Sequence, residues 1–403
     1  MKFLKNYSVL ALSVAMATAV SCSKDDSGVN DTISTTPEVA QASSDIIPDQ
    51  YIVVFKAPGK TSGDHRMNKQ AVQQKTVDVF AQNGLQGAEV LKVYSAALSG
   101  AVVKMSKDQA ALLRNSNEVA YVEPDRIISL GKPSWAGGGD TGSTGQETPY
   151  GITNVNGGGA SYTGNGVVWV IDSGIDLDHP DLNVETSPEL AFSAFTKGKD
   201  AGFDDGNGHG THVAGTIAAL DNDFGVIGVA PGAKVVPVKV LDSRGSGSYS
   251  GVIDGVNHVA AHGKAGDVAN MSLGGPVSVA LDDAVKAAAA TGVKFALAAG
   301  NETDDANNHS PARANHANIY TISAVDSQYR FASFSNYGNP PVDYAAPGVA
   351  IKSTWKDGGY NTISGTSMAS PHAAGVLLLG APKTSAQTIS GDPDGNVDPF
   401  ITH

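Results

Sequence analysis

From Tyr150 onward, short continuous apolar runs alternate with stretches of helical spacing. No other feature constrains the fold as much. The apolar runs are Val167 to Ile171, Lys234 to Leu241, Val268 to Ser272, Val293 to Ala298 and Ile319 to Val325. Helical stretches at 210–220, 249–262 and 279–291 separate them. A strand that is apolar throughout needs cover on both faces. Such strands alternating with helices predict an α/β fold, a doubly wound parallel sheet.

The chain ahead of this region follows a different plan. Lys2 and Lys5 form a basic start, and residues 7–20 form a short apolar segment, as in a signal peptide. Ala19-Val20-Ser21-Cys22 resembles the lipobox of bacterial lipoproteins, in which the Cys becomes the lipidated first residue. Ser23-Lys24-Asp25-Asp26 resembles an acidic surface-export tag of Bacteroidetes-type lipoproteins. Ordinary cleavage after Ala17-Thr18-Ala19, with Cys22 incidental, is the alternative. Cys22 is the single Cys, so no intramolecular disulfide braces the fold. Residues 23–47 are rich in Ser, Thr, Asp and Pro and read as a linker.

Order is expected to begin at the β-branched and aromatic run from Tyr51 to Phe55. A helix over roughly 66–83, strands at 88–94 and 98–105, a helix from Lys107 to Asn115 and a strand from Val119 to Val122 follow. That order makes a small α+β domain over 48–130. The stretch 131–145 contains Gly137, Gly138, Gly139, Gly142 and Gly145, and reads as an exposed linker open to nicking. The formal charge is −13, and all of it falls after residue 131. An acidic body argues against nucleic acid as a partner and favours carboxylate-rich cation sites. No apolar run after residue 22 is long enough to span a bilayer.

Three polar residues stand in Gly-flanked motifs at element ends. Asp172 ends the run VVWVI in VIDSGID, where parallel sheets place active sites. His209 lies in NGHGTHVAG, ahead of a helical stretch. Ser367 lies in SGTSMASPHAAG, just before a helical run over 368–379. Taken singly, they also read as a turn-capping Asp, a packed His and a helix N-cap Ser. Together they supply a carboxylate, an imidazole and a hydroxyl, the set that activates a Ser nucleophile. The order Asp, His, Ser differs from the α/β-hydrolase order Ser, Asp, His. The sequence Gly365-Thr-Ser367-Met-Ala369 also lacks the second Gly of that class's elbow.

These motifs resemble those of the subtilase family of serine peptidases over about residues 146–380, nearly residue for residue. From Ala298 to Gly375 the resemblance is to the proteinase K branch, with FSNYG at Phe334 and SGTSMASPH at Ser364. The resemblance implies a subtilisin-like fold and a secreted endopeptidase with Asp172, His209 and Ser367 as its triad. It implies Asn301, in AAGN, as oxyanion donor together with the Ser367 backbone N–H. Gly245, Ser246 and Gly247 match one rim of the substrate cleft. Ser272, Leu273 and Gly274 match one wall of the S1 pocket, and Ala298, Ala299 and Gly300 the other. None of these S1 positions is charged, so an apolar or aromatic P1 side chain is expected. An extended peptide is expected to pair as an added strand in that cleft.

The resemblance also implies a structural Ca²⁺ site. Gln146 and Asp181 would join the loop 220–226, through the carbonyls of Leu220, Phe224 and Val226 and the side chain of Asn222. Oxygen-only donors suit a hard cation; a solvated acidic loop is the plainer reading. Residues 50–130 resemble the inhibitor propeptide of subtilases, in YIVVFK at Tyr51, LSGAVVKM at Leu98 and VAYVEPD at Val119. The implied partners are protein or peptide substrates and the propeptide itself. The family's cut would fall near Ser129 to Gly131. The precursor would be lipid-anchored at a bacterial outer membrane or cell surface, and the mature enzyme released. A family member without activity, kept as a binding protein, and a serine esterase are the rival readings. Two departures from the family pattern remain. Only 36 residues follow Ser367, and a Gly-rich extension precedes Gln146.

Overall fold

Seven parallel strands form the sheet that the alternation predicts. The structure, a computed structural model, describes residues 45–56, 65–130 and 145–403. Cys22 and its signal segment, the linker through residue 44, and the Gly-rich stretch 131–144 lie outside the described residues.

The N-terminal elements are β1 (Ile46–Phe55), α1 (His65–Gln82), β2 (Glu89–Tyr94), β3 (Gly100–Lys104), α2 (Lys107–Arg114) and β4 (Val119–Ser129). This is the expected β, α, β, β, α, β order. The start of α2 is set by Ser106, whose side chain accepts from the Gln109 N–H while Gln109 reaches back to the Ser106 N–H. Two boundaries differ from expectation. β1 begins at Ile46, five residues before Tyr51, because Ile46 finds a partner in Arg126. β4 runs seven residues past Val122, because its far end pairs outside the N-terminal elements.

The apolar run Tyr51 to Phe55 within β1 is packed on both of its faces. Val53 and Phe55 pack with Val72, Val79 and Leu113 under α1 and α2. Ile52 and Val54 face the other way and share a core with Val252 and Val256 of the larger sheet's helical layer.

The larger part runs α3 (Tyr150–Asn154), β5 (Val168–Asp172), β6 (Phe192–Ser193), α4 (His209–Ala218), β7 (Val235–Lys239), β8 (Ser246–Ser248) and α5 (Tyr249–His262). It continues with β9 (Val268–Met271), β10 (Gly275–Pro276), α6 (Val279–Ala289), β11 (Lys294–Ala298), β12 (His309–Ser310), β13 (Ile319–Val325) and β14 (Val342–Pro347). A hairpin of β15 (Ile351–Trp355) and β16 (Gly359–Ile363) leads to α7 (Thr366–Leu379). The sheet order is β14-β13-β11-β9-β5-β7-β6. Trp169 and Ile171 of β5 pack against α5 and α6, whereas Val168 and Val170 pack against α4 and α7. Both faces are therefore covered, as a period-two strand of unbroken apolar residues requires.

From β5 the chain runs to β6 and then β7 on one side, and the next connection crosses back to β9 on the other. The strand order reverses beside the carboxyl end of β5, the crevice in which open parallel sheets bind ligands.

The polar tail after Gly380 is docked against this body. β17 (Lys383–Thr384) pairs with β18 (Ile401–Thr402), and Phe400 and Ile401 are buried. Ala345 of the edge strand β14 donates to the Pro399 carbonyl, so the tail covers the open sheet edge. Polar composition hid this, because the apolar part of the contact is only Ile389, Phe400 and Ile401, and hydrogen bonds such as that of Ser323 Oγ to Asp398 make up the rest.

Candidate active site

Asp172 is the last residue of β5 and has no exposed surface. His209 opens α4, and its Nδ1 lies 2.9 and 3.0 Å from the two Asp172 carboxylate oxygens. Gly208 caps this helix at φ 109°, the left-handed region, and a Cβ there would lie 2.3 Å from the Trp355 ring. The Gly in NGHG is therefore fixed by both backbone and space. Burial pulls the His209 imidazole down, but Asp172, by charge and hydrogen bond, and Asp205, by charge, outweigh it. The net direction is up from the ordinary imidazole value.

Burial holds the second His of the motif, His212, down to about 3, and its Nε2 lies 3.0 Å from the Ile351 carbonyl. His372 is likewise held down to about 4 by burial. Of these three, only His209 has a carboxylate partner and an upward shift.

Ser367 is the second residue of α7, because the helix begins at Thr366, two residues earlier than the sequence suggested. Its backbone N–H has no acceptor within the helix and is one of the free donors of a helix N-terminus. The hydroxyl donates to the Ser272 carbonyl at 3.1 Å, and Ser272 Oγ returns a bond to the Ser367 carbonyl at 2.7 Å. Among the described residues no hydrogen bond joins Ser367 Oγ to His209. Proton transfer between them requires the hydroxyl to rotate away from Ser272. Asn301 accepts from both the N–H and the hydroxyl of Thr366 through Oδ1, at 2.8 and 3.0 Å. Its carbonyl end is thereby tied down, and its NH₂ end is free to donate beside Ser367.

A cavity of about 280 Å³ brings together Ser272, Leu273, Gly274, Ala298, Ala299, Gly300, Asn301 and Ser367. Glu302 and His309 line it as well. Both are ionisable, so the expectation of an uncharged lining holds only for the two walls. His309 is separated from Glu302 by 3.7 Å and from Asp304 by 3.1 Å. The sequence offered no sign that the loop around His309 returns to this pocket.

The end of β4 occupies the cleft. Ile127, Ile128 and Ser129 pair antiparallel with Ser248, Gly247 and Ser246, and the Leu130 N–H donates to the Gly245 carbonyl at 2.9 Å. Ile128 is buried and shares a core with Leu241, Tyr249 and Leu273. Further back, Glu123 accepts from Ser278 Oγ and from the Val279 and Ala280 N–H groups at the start of α6. Asp125 accepts from the Ser250 N–H at the start of α5 at 3.0 Å. Two carboxylates thus meet two helix N-termini, where free N–H groups and the helix dipole favour negative charge. Neither role was singled out from sequence. The signal was the acidic pair in VEPD directly ahead of a strand end.

The expected calcium ligands also converge. Gln146 Nε2 lies 2.7 Å from the Leu220 carbonyl, 3.4 Å from Asn222 Oδ1 and 3.5 Å from the Val226 carbonyl. Asp181 accepts from Asn222 Nδ2, the Val226 N–H and Tyr360 OH, and burial pushes its carboxyl up. Phe224 is on the same loop, but its described contact is an N–H turned to Asn222 Oδ1. No group of three or more His, Cys, Asp or Glu that could hold a metal occurs among the described residues. This set has one carboxylate, with amide and backbone oxygens for the rest. That donor chemistry fits a hard cation.

The family model described as "Subtilase family" matches residues 164–390, and "Peptidase inhibitor I9" matches residues 50–131. "Alkaline serine exoprotease A" of Vibrio alginolyticus is 42% identical over 342 residues, 83% of this chain and 60% of the relative. "Subtilisin NAT" of Bacillus subtilis subsp. natto is 40% identical over 311 residues, 76% of this chain and 75% of the relative. A crystal structure of a cold adapted subtilisin-like serine proteinase is 38% identical with a TM-score of 0.54, covering 63% of this chain and 97% of that one. The chain belongs to the subtilase family of subtilisin-like serine peptidases, with an I9 inhibitor domain ahead of the peptidase domain.

Proposed function

We propose that the chain is the precursor of an exported serine endopeptidase that cuts itself near Ser129 to Gly131. The observation that carries this reading is the tail Ile127 to Leu130, strand-paired in the cavity that also holds Ser367 and Asn301. A peptide held in that way is presented as a substrate or a freshly cut product.

In this reading Ser367 Oγ attacks the scissile carbonyl carbon while His209 Nε2 takes the hydroxyl proton. Asp172 fixes the imidazole tautomer through Nδ1 and stabilises its charged form. The oxyanion is held by the Ser367 N–H and the Asn301 NH₂. The tetrahedral adduct collapses as His209 gives the proton to the leaving amine. Water, deprotonated by His209, then attacks the acyl-enzyme, and a carboxylic acid departs with Ser367 restored. Gly245, Ser246 and Gly247 pair with the substrate backbone. Ser272, Leu273, Gly274, Ala298, Ala299 and Gly300 wall a pocket for an apolar or aromatic P1 side chain.

Gln146, Asp181, Asn222 and the carbonyls of Leu220 and Val226 would hold Ca²⁺, with Phe224 completing the loop. Bound there, the ion would supply a structural clamp between the mature N-terminus and this loop. Cys22 would carry the lipid. Because the cut lies more than a hundred residues beyond Cys22, the anchor stays with the propeptide and the mature enzyme is released.

Hydrolysis of an internally quenched peptide with both ends blocked tests the endopeptidase reading. Cleavage that a sulfonyl fluoride abolishes supports it. Activity confined to peptides with a free terminus, or to p-nitrophenyl esters, contradicts it. Fractionation of expressing cells tests the location. Mature enzyme should appear in the medium and Ser367→Ala precursor in the membrane fraction; mature enzyme that stays membrane-bound refutes release.

A further inference from the structure

One buried cation takes no part in the steps above. Lys239 ends β7 directly beside Asp172, its register partner across the parallel pair, and only 1% of it is exposed. Its ammonium donates to the Ser173 carbonyl. A buried ammonium is costly unless paired, so its retention needs a reason.

Its surroundings supply one. Ser173 is held by all of its polar groups. Its N–H donates to Asp172 Oδ1 at 2.7 Å, and its hydroxyl donates to Asp205 at 2.9 Å and accepts from the Gly210 N–H at 3.0 Å. Asp205 also gathers the N–H groups of Asn207, Gly208 and Thr211 and the Thr211 hydroxyl, which fixes the start of α4 and so the place of His209. Ser173 therefore joins the end of β5 to the start of α4. Lys239 holds its remaining polar group, the carbonyl. Burial pulls the Lys239 ammonium down, and the charges of Asp205, Asp200, Asp204 and Asp172 oppose that pull. The groups that act on His209 itself are Asp172 and Asp205, with His212 close behind on the same helix.

We propose that Lys239 is a positioning residue for the peptidase reaction: its ammonium, buried behind the Asp172–His209 pair, fixes the Ser173 turn and compensates the carboxylates gathered there. This rests on the triad reading above. The consequence has a sign. Without the cation the carboxylates stand uncompensated, and an uncompensated negative field stabilises the imidazolium. His209 then loses its proton at higher pH.

The test compares wild type, Lys239→Met and Lys239→Arg by the pH dependence of kcat/KM on one blocked peptide. In Lys239→Met the acid limb should move up by about 0.5–1 pH unit, so activity below the limb falls about 3- to 10-fold, with KM little changed. Lys239→Arg keeps the charge and should leave the limb in place even where kcat drops. A Lys239→Met enzyme that is active with its acid limb unmoved overturns the proposal, since a purely structural lysine would lower stability alone. If Lys239→Met does not fold, Lys239→Gln, which removes the charge but keeps an N–H donor for the Ser173 carbonyl, replaces it. Its limb should move up likewise, and an unmoved limb overturns the proposal equally. Wild type that shows no sulfonyl-fluoride-sensitive cleavage would refute the triad reading instead, a result separate from any limb position.

Discussion

At the scale of single residues, the geometry separates groups that look alike in sequence. NGHGTHVAG offers two His residues three apart on one helix. The carboxylate beside His209 raises it, while His212 is held neutral by burial. In the proposed mechanism neutral His209 is the base, so activity should rise as pH passes the His209 value. Because that value is shifted upward, the acid limb should lie above the ordinary imidazole value of about 6.5. A kcat/KM profile with its limb below pH 6 contradicts the assignment. Asn301 is tied to Thr366 through its oxygen, which leaves its nitrogen free to donate. Asn301→Ala should lower kcat by about 10²–10³ with KM nearly unchanged. An equal rise in KM would point to ground-state binding instead. Asp172, His209 and Ser367 could be singled out because each sits in a dense local motif. His309 and Lys239 could not, because they come near the site only through long-range packing that leaves no local pattern; Glu302 directly follows Asn301, but its place on the pocket wall carries no motif of its own.

At the scale of elements, the tail of β4 explains how the I9 domain can sit on its own enzyme. Strand pairing with Ser246 to Ser248 fixes register, and buried Ile128 fixes depth. Glu123 and Asp125 tie the strand to the starts of α6 and α5. Removing a helix cap typically costs about 0.5–2 kcal/mol, or roughly 2- to 30-fold in binding. Glu123→Ala should therefore shorten the lag between the cut and full activity by about that factor, with the final activity unchanged. An unaltered lag would show that Glu123 contributes nothing to retention. Element identity was readable wherever apolar runs were long, as in Ile319 to Val325, whose bounds the structure reproduces. Element ends were not readable where partners lie far away in sequence. Ile46 is in a strand because of Arg126, and Ser129 because of Ser246. The two-residue strands β6 and β10 carry no periodic signal at all.

At the scale of the whole molecule, the chain builds a large α/β body without a disulfide. A cation clamping Gln146 to the loop 220–226 would stabilise the folded state by mass action. At a hundredfold excess over Kd that is about 2.7 kcal/mol. For a domain of this size it corresponds to a Tm shift of roughly 5–10 °C. EDTA should lower the Tm of the mature enzyme by that amount, and Asp181→Ala should abolish most of the sensitivity. A wild-type melting curve indifferent to EDTA would remove the calcium site from the account. The central claim is that this chain cuts itself with Ser367, and intact-mass spectrometry of purified wild type and Ser367→Ala tests it most directly. Wild type should appear as a propeptide and an enzyme divided near Ser129 to Gly131, and Ser367→Ala as one uncut chain. A Ser367→Ala protein found cut at the same place, with no other protease present, would contradict the claim.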